Sequence, residues 1–170
     1  MIWFTADLHL WHGNIIKYCD RPFDSAREMN QTILENYQES PISDDDTVYF
    51  LGDLMMGGPT KKLNLERYID RMVGDKHLIM GNHDRLKPKD YIDIGFSSVH
   101  YPYFELEDGV VLAHDPATAV TGGLWITAHV HGAWETLPSR YGGTLVNVGV
   151  DVRDFSPISY DEVKEIGNHV

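Results

Sequence analysis

A chain of 170 residues that is 42% hydrophobic and 24% charged can bury one sizeable core, so a single domain over residues 1–170 is expected. Its net charge of -12 argues against an extended nucleic-acid-binding face. The one cysteine, Cys19, excludes an intrachain disulfide and a cysteine zinc cage.

The start, MIWFTADLH, reads as a strand running into polar residues rather than as a signal peptide. No apolar run is long enough to span a bilayer, so a cytoplasmic location and no membrane partner are expected. Residues 2–6, IWFTA, are a short run of strand character ending in the polar loop DLHLWHGN. DSAREMNQTILENYQES predicts an amphipathic helix: Ser25 and Glu28 make a capping-box pattern, Met29, Ile33 and Tyr37 recur at helical spacing, and Pro41 ends it. TVYFLGD is a second strand, stopping at Gly52-Asp53. Residues 60–72 predict a second helix with Leu65, Tyr68, Ile69 and Met72 on one face, and KHLIM predicts a third strand.

Residues 97–113 predict a hairpin that turns at Asp108-Gly109. LWITA and TLVNVGV are two more strands. SYDEVKEI closes as a helix, with Ser159 and Glu162 as a second capping box. The alternation of strand and helix in the first half predicts parallel βαβ units, and the strand-rich second half predicts a more antiparallel sheet. Two packed sheets flanked by helices, an α/β fold, satisfy both halves.

The turn GNHD, residues 81–84, is ordinary turn composition when taken alone. It is one instance of a repeated habit. The first strand hands over Asp7 and His9, the second Asp53, the third Asn82 and His83, VVLA hands over His114, and LWITA hands over His129 and His131. The C-terminal ends of strands in an α/β sheet converge on the ligand-binding crevice. Asp7, His9, Asp53, Asn82, His114, His129 and His131 are oxygen and imidazole donors without a thiolate, a set that suits Mn, Fe, Zn, Co or Ni. Seven donors are too many for one ion. Two ions sharing a carboxylate, roughly 3.5–4 Å apart, are the arrangement that serves phosphoester hydrolysis. Asp7-x-His9 and His129-x-His131 are i, i+2 pairs, which aim two side chains the same way where the backbone is extended.

In this order the motifs Asp7-Leu8-His9, Gly52-Asp53, Gly81-Asn82-His83-Asp84, His114 and His129-Val130-His131 resemble the calcineurin-like metallophosphoesterase superfamily. DLHLWHGNIIKYCDRPF and NVGVDVRDFSPISYDEV are similar to a small bacterial and phage branch of single-domain members. The resemblance implies a two-sheet α/β/β/α sandwich. It implies that Asp7, His9, Asp53 and His131 hold a first metal, that Asp53 bridges to a second, and that Asn82, His114 and His129 complete the second. It gives His83 the leaving group or the transition state, with Asp84 orienting it. The implied cofactors are two divalent transition-metal ions, Mn²⁺ first, with Fe, Zn, Co or Ni as alternatives.

The implied reaction is hydrolysis of a small phosphoester or nucleotide-type substrate by a metal-bridging hydroxide. A diester is favoured, because a monoester dianion calls for several cationic clamps and only Arg21 and Arg85 offer one. His12 and Asn14 follow the first donor loop closely enough to face substrate. The alternatives are a phosphomonoesterase, or a binding scaffold without turnover; the intact His83 and donor set count against the scaffold. Ala128 stands where the family carries Gly, Asp115-Pro116 follows His114 where relatives carry Gly or His, and Trp11 stands where branch members often carry Gly, implying a narrower or more apolar mouth. His77, His100 and His169 carry no functional expectation.

Overall fold

The computed structural model describes residues 1–57 and 61–168. Four parallel strands form the body of a first sheet: β1 (Ile2–Thr5), β2 (Thr47–Phe50), β3 (Asp75–Ile79) and β4 (Ser98–His100). The last strand, β10 (Ile158–Ser159), pairs antiparallel with β1, giving the order β10-β1-β2-β3-β4. The second sheet runs β5-β6-β7-β9-β8, with β5 at Tyr103–Glu105, β6 at Val111–Ala113, β7 at Leu124–Thr127, β8 at Thr136–Pro138 and β9 at Thr144–Asn147.

Alternation along the strands divides the core. Phe4, Tyr49, Leu51 and Ile79 from the first sheet meet Leu112, Ile126, Val146 and Val148 from the second, and these residues fill the space between the sheets. Their neighbours Trp3, Val48, Phe50 and Leu78 face the other way. There they are covered by α2 (Ala26–Glu39), α3 (Lys62–Ile69) and α4 (Pro88–Ile94) through Met29, Ile33, Tyr37, Leu65, Ile69, Tyr91 and Ile94. A sheet covered on both faces explains why its strands read as unbroken apolar runs. A further helix, α5 (Tyr160–Asn168), puts Val163 into the inter-sheet core. No helix among the described residues is long and apolar enough to cross a membrane.

The caps behave as their residues dictate. Ser25 Oγ accepts from the Glu28 amide at 3.1 Å, but the Glu28 carboxylate accepts from the amide of Asp24 rather than that of Ser25. At α5 the box is reciprocal: Ser159 N donates to Glu162 Oε2 at 3.0 Å, and Glu162 N to Ser159 Oγ at 3.3 Å.

Three expectations are corrected. The helix expected over 60–72 is α3, Lys62–Ile69, followed by a turn in which Met72 is still buried; residue 60 lies outside the described residues. The hairpin expected over 97–113 divides. Ser98–His100 joins the first sheet as β4, a cis Tyr101–Pro102 bond follows, and only β5 and β6 form the antiparallel pair. The second sheet is parallel through its centre, β6-β7-β9, and antiparallel only at its edges, because residues 114–123 and 128–143 are long enough to cross over. The sequence reading also passed over α1 (Gly13–Tyr18) and α4, which bury only one and two apolar side chains respectively.

Candidate metal centre

Beyond β1 the chain does not stay extended. Asp7, His9 and Trp11 take left-handed φ values of 57°, 49° and 60°, while Leu8 and Leu10 between them are fully buried. The two leucines anchor the loop, and the residues between them point elsewhere. Asp53 (φ 55°), His129 (φ 73°) and His131 (φ 50°) repeat this geometry. The i, i+2 expectation is corrected: Asp7 and His9 fall in one donor group but His129 and His131 fall in different ones, and all four are aimed by left-handed residues, not by a pleated strand. Asp and His tolerate this region better than most residues, and such strain collects at functional sites.

The loops are stitched to one another. Asp7 N, His9 N and Leu10 N donate to the carbonyls of Gly52, Asp53 and Leu54 at 3.1, 2.9 and 3.0 Å. The Asp84 carboxylate accepts from three amides, those of Gly81 (2.8 Å), Asp53 (2.8 Å) and Leu54 (3.0 Å). In return, Asp53 Oδ1 accepts from the His83 amide at 2.8 Å. Asp84 thus fixes the backbone of its own turn against the Asp53 loop, and no hydrogen bond joins it to the His83 ring among the described residues. Burial pushes the Asp84 carboxyl up to about 6 despite those amides. Gly81 is needed for this approach, since a Cβ there would lie 2.7 Å from Asp53 N and 2.9 Å from His114 Cε1.

Two donor groups result. Asp7, His9 and His131 offer atoms within 4.8 Å of one another, and so do Asp53, His114 and His129. Asp53 Oδ2 lies 3.4 Å from His9 Nε2 and 3.5 Å from His114 Nε2, between the groups. Asn82 Oδ1 is 3.1 Å from His114 Nε2, which is itself 3.2 Å from His129 Nδ1.

Each carboxylate commits one oxygen to structure: Asp7 Oδ2 accepts from His129 N at 2.9 Å, and Asp53 Oδ1 from His83 N. His114 Nδ1 donates to the Leu51 carbonyl at 2.7 Å, and His131 Nδ1 donates to Asp151 Oδ2 at 2.9 Å. In both rings Nε2 is left as a lone-pair donor, the usual arrangement behind a metal-bound imidazole.

The residues fit a cation on a further observation. Asp7 Oδ1 and His9 Nε2 are buried, without a hydrogen-bond partner among the described residues. Orphaned polar atoms at 0% and 1% exposure are costly unless something else satisfies them. Burial, helped by His131, Arg21, His12 and His83, pushes His9 down to about 2, so its imidazole stays neutral as a metal donor must be. Burial pushes the Asp7 carboxyl up, against the pull of His114 and His131.

The remaining expected residues are scattered. His12 Nδ1 lies 3.3 Å from His9 Nδ1, and the His83 ring centroid is 5.3 Å from that of His9. Asn14 and Arg85 are exposed. Arg21 is corrected: it is 5% exposed, and its guanidinium is engaged with Asp151 and with the carbonyls of Asp7 and Leu8, so it is not free to hold substrate. The Trp11 ring packs edge-on against Tyr68 at 6.0 Å, with Lys61 Nζ 5.9 Å from its centroid.

His77 and His100 share the Ser98 hydroxyl on the first sheet, and His169 lies outside the described residues. Asp151 was missed. It follows β9 in the same strand-end manner as the donors, and that position was its signal. Cys19, His131 and Asp151 also lie within donor range, but both Asp151 oxygens are already held by Arg21, and Oδ2 by His131 as well.

Two layers of strands delivering acids and histidines to one point define a class. The chain belongs to the calcineurin-like phosphoesterase family, whose model matches residues 1–161. It is 32% identical over 174 residues to the uncharacterized protein MJ1445 of Methanocaldococcus jannaschii, spanning 97% of this chain and 90% of that one. It is 34% identical over 87 residues to the gene 66 protein of Mycobacterium phage D29, spanning 51% of this chain and 42% of that one. Among solved structures, the protein of unknown function AQ665 from Aquifex aeolicus matches with a TM-score of 0.74 at 27% identity over 98% of each chain. The Pseudomonas putida nuclease MPE shares the fold, with a TM-score of 0.55 at 20% identity over 76% of this chain and 61% of that one.

Proposed function

We propose that this chain is a phosphoester hydrolase working with two divalent cations, and that phosphodiesters are its better substrates. The observation that carries the reading is Asp53 Oδ2, set 3.4 and 3.5 Å from imidazole nitrogens of the two donor groups. Asp7, His9 and His131 would hold one cation, Asn82, His114 and His129 the other, and Asp53 both. Bound there, the cations supply Lewis-acid charge for the phosphoryl oxygens and a nucleophile from water at neutral pH. An all-nitrogen-and-oxygen donor set makes Mn²⁺ the first choice for assay.

The chain's own contribution is position and a proton. Asp53 Oδ1 holds the His83 amide, which seats the ring beside His9 at a centroid distance of 5.3 Å. From there His83 donates its proton to the departing oxygen. The diester preference rests on Arg21. With that guanidinium spent inside the protein, Arg85 alone remains of the two arginines that would clamp a monoester dianion.

Chelator-stripped protein reloaded with Mn²⁺ should hydrolyse bis(p-nitrophenyl) phosphate with a higher kcat/KM than p-nitrophenyl phosphate, and Asp53→Asn should abolish both activities. Metal-loaded wild type that hydrolyses neither ester would favour the binding scaffold.

A further inference from the structure

The first donor group is drawn from both sheets, since Asp7 and His9 follow β1 and His131 follows β7. Something must hold these loops in register. The segment after β9 lies alongside the first loop: Val150 N donates to the Ala6 carbonyl at 3.1 Å, which brings Asp151 next to Asp7. Arg21, just beyond α1, is buried at the same place.

Its guanidinium grips Asp151 as a fork, Nε to Oδ1 at 2.8 Å and Nη2 to Oδ2 at 2.8 Å. The same group donates to the carbonyls of Asp7 (Nη2, 2.8 Å) and Leu8 (Nη1, 3.2 Å), the left-handed loop that carries the donors. Asp151 Oδ2 then accepts from His131 Nδ1 at 2.9 Å. One unbroken path runs from the first loop through Arg21 and Asp151 to a donor on the other sheet.

We infer that Arg21 and Asp151 are positioning residues, a clasp that assembles the Asp7–His9–His131 cation site from two sheets and fixes which nitrogen of His131 faces it. The inference rests on the two-cation reading above. Two features favour it over a merely structural ion pair. Asn147 already secures the His131 backbone, donating to its carbonyl at 2.8 Å, so Asp151 adds control of the ring rather than of the chain. The two Arg21 bonds to carbonyls fall on Asp7 and Leu8, where the loop turns left-handed. No contact of Arg21 or Asp151 reaches Asn82, and the second group has its own ring-setting bond from His114 to Leu51. The clasp therefore acts directly on the first site and reaches the second only through Asp7, whose Oδ2 accepts from the His129 amide.

Mn²⁺ titration by calorimetry, without substrate, tests this. Wild type should bind two ions. Asp151→Ala should weaken one site by about 10–100-fold, the usual effect of losing a carboxylate behind a metal-bound histidine, and affect the other site far less. Arg21→Lys should weaken the same site, because an ammonium cannot make the fork. In a His131→Ala background, Asp151→Ala should add less than it does alone, since only the Arg21 fork remains to be lost.

Circular dichroism confirms that each variant is folded. If Asp151→Ala does not fold, Asp151→Asn keeps the shape and should show the same single-site loss, about 10-fold. Full affinity at both sites in a folded Asp151 variant, or equal weakening of both, overturns the clasp. Wild type binding fewer than two ions overturns the two-cation reading instead.

Discussion

Asp84 gives the sharpest stability prediction, because its two obvious substitutions should behave differently. Its carboxylate accepts from the half-buried amide of Gly81 and the buried amides of Asp53 and Leu54. Asp84→Ala leaves three amides unpaired, at about 1–3 kcal/mol each. Against that, burial raises the carboxyl from 3.8 to about 6. Holding the ion at pH 7 therefore costs the fold about 3 kcal/mol, at 1.36 kcal/mol per unit, and this is regained when the charge is removed. The net loss for Asp84→Ala is roughly 3 kcal/mol. Asp84→Asn also removes the charge. Its amide oxygen can replace Oδ2, which serves Gly81 and Asp53, so only the Leu54 bond is lost and the two effects nearly cancel.

The pH dependence follows from the direction of the shift. A carboxyl raised in the folded state binds its proton more tightly there, so its stabilising contribution is complete below 3.8 and is lost as pH rises through about 6. Wild type should gain on Asp84→Asn as pH is lowered from 7 to 5. The assay is urea denaturation of chelator-treated protein at both pH values. Equal stability of the Ala and Asn variants would refute the assignment of the turn to these three bonds.

Gly81→Ala should cost about 1–3 kcal/mol and weaken Mn²⁺ binding, since its Cβ would press on the Asp53 amide and His114; an unchanged melting temperature and Mn²⁺ titration would contradict the packing argument. His83→Ala should keep both metals and lose about 10²–10⁴-fold in kcat/KM on alkyl or nucleoside esters, but far less on nitrophenyl esters, whose leaving group departs without a proton; equal losses across a series of graded leaving-group pKa would reassign His83 to binding. Trp11→Ala, which keeps the side-chain constraint at φ 60°, should lower the melting temperature by removing the edge-on contact with Tyr68 while leaving the ranking of substrates by bulk unchanged; a reordered ranking at constant stability would return Trp11 to the mouth of the site.

The clustered acids and histidines were legible because each sits at a strand boundary, where an apolar run stops at an acid, an amide or a histidine. The amphipathic α2 was legible because Met29, Ile33 and Tyr37 face the core together. What lay beyond reading has physical causes. Left-handed φ at Asp7, His9 and Trp11 carries no composition signal when glycine is absent. Arg21 and Asp151 are 130 residues apart, so nothing local marks them as partners, and an arginine near a phosphate site reads as a clamp until its neighbours are seen. The β4–β5 region looked like one hairpin because two strands in different sheets follow each other across only Tyr101 and Pro102. Short elements such as α1 bury too little to show a period.

Two cations sharing Asp53 can be counted. Stepwise addition of Mn²⁺ to stripped protein, with bound metal and phosphodiesterase rate followed together, tests the sharing most directly. Saturation should come at two ions per chain, with activity rising as the second is filled, and Asp53→Asn should lose activity together with at least one ion. Full activity at one ion per chain would contradict it.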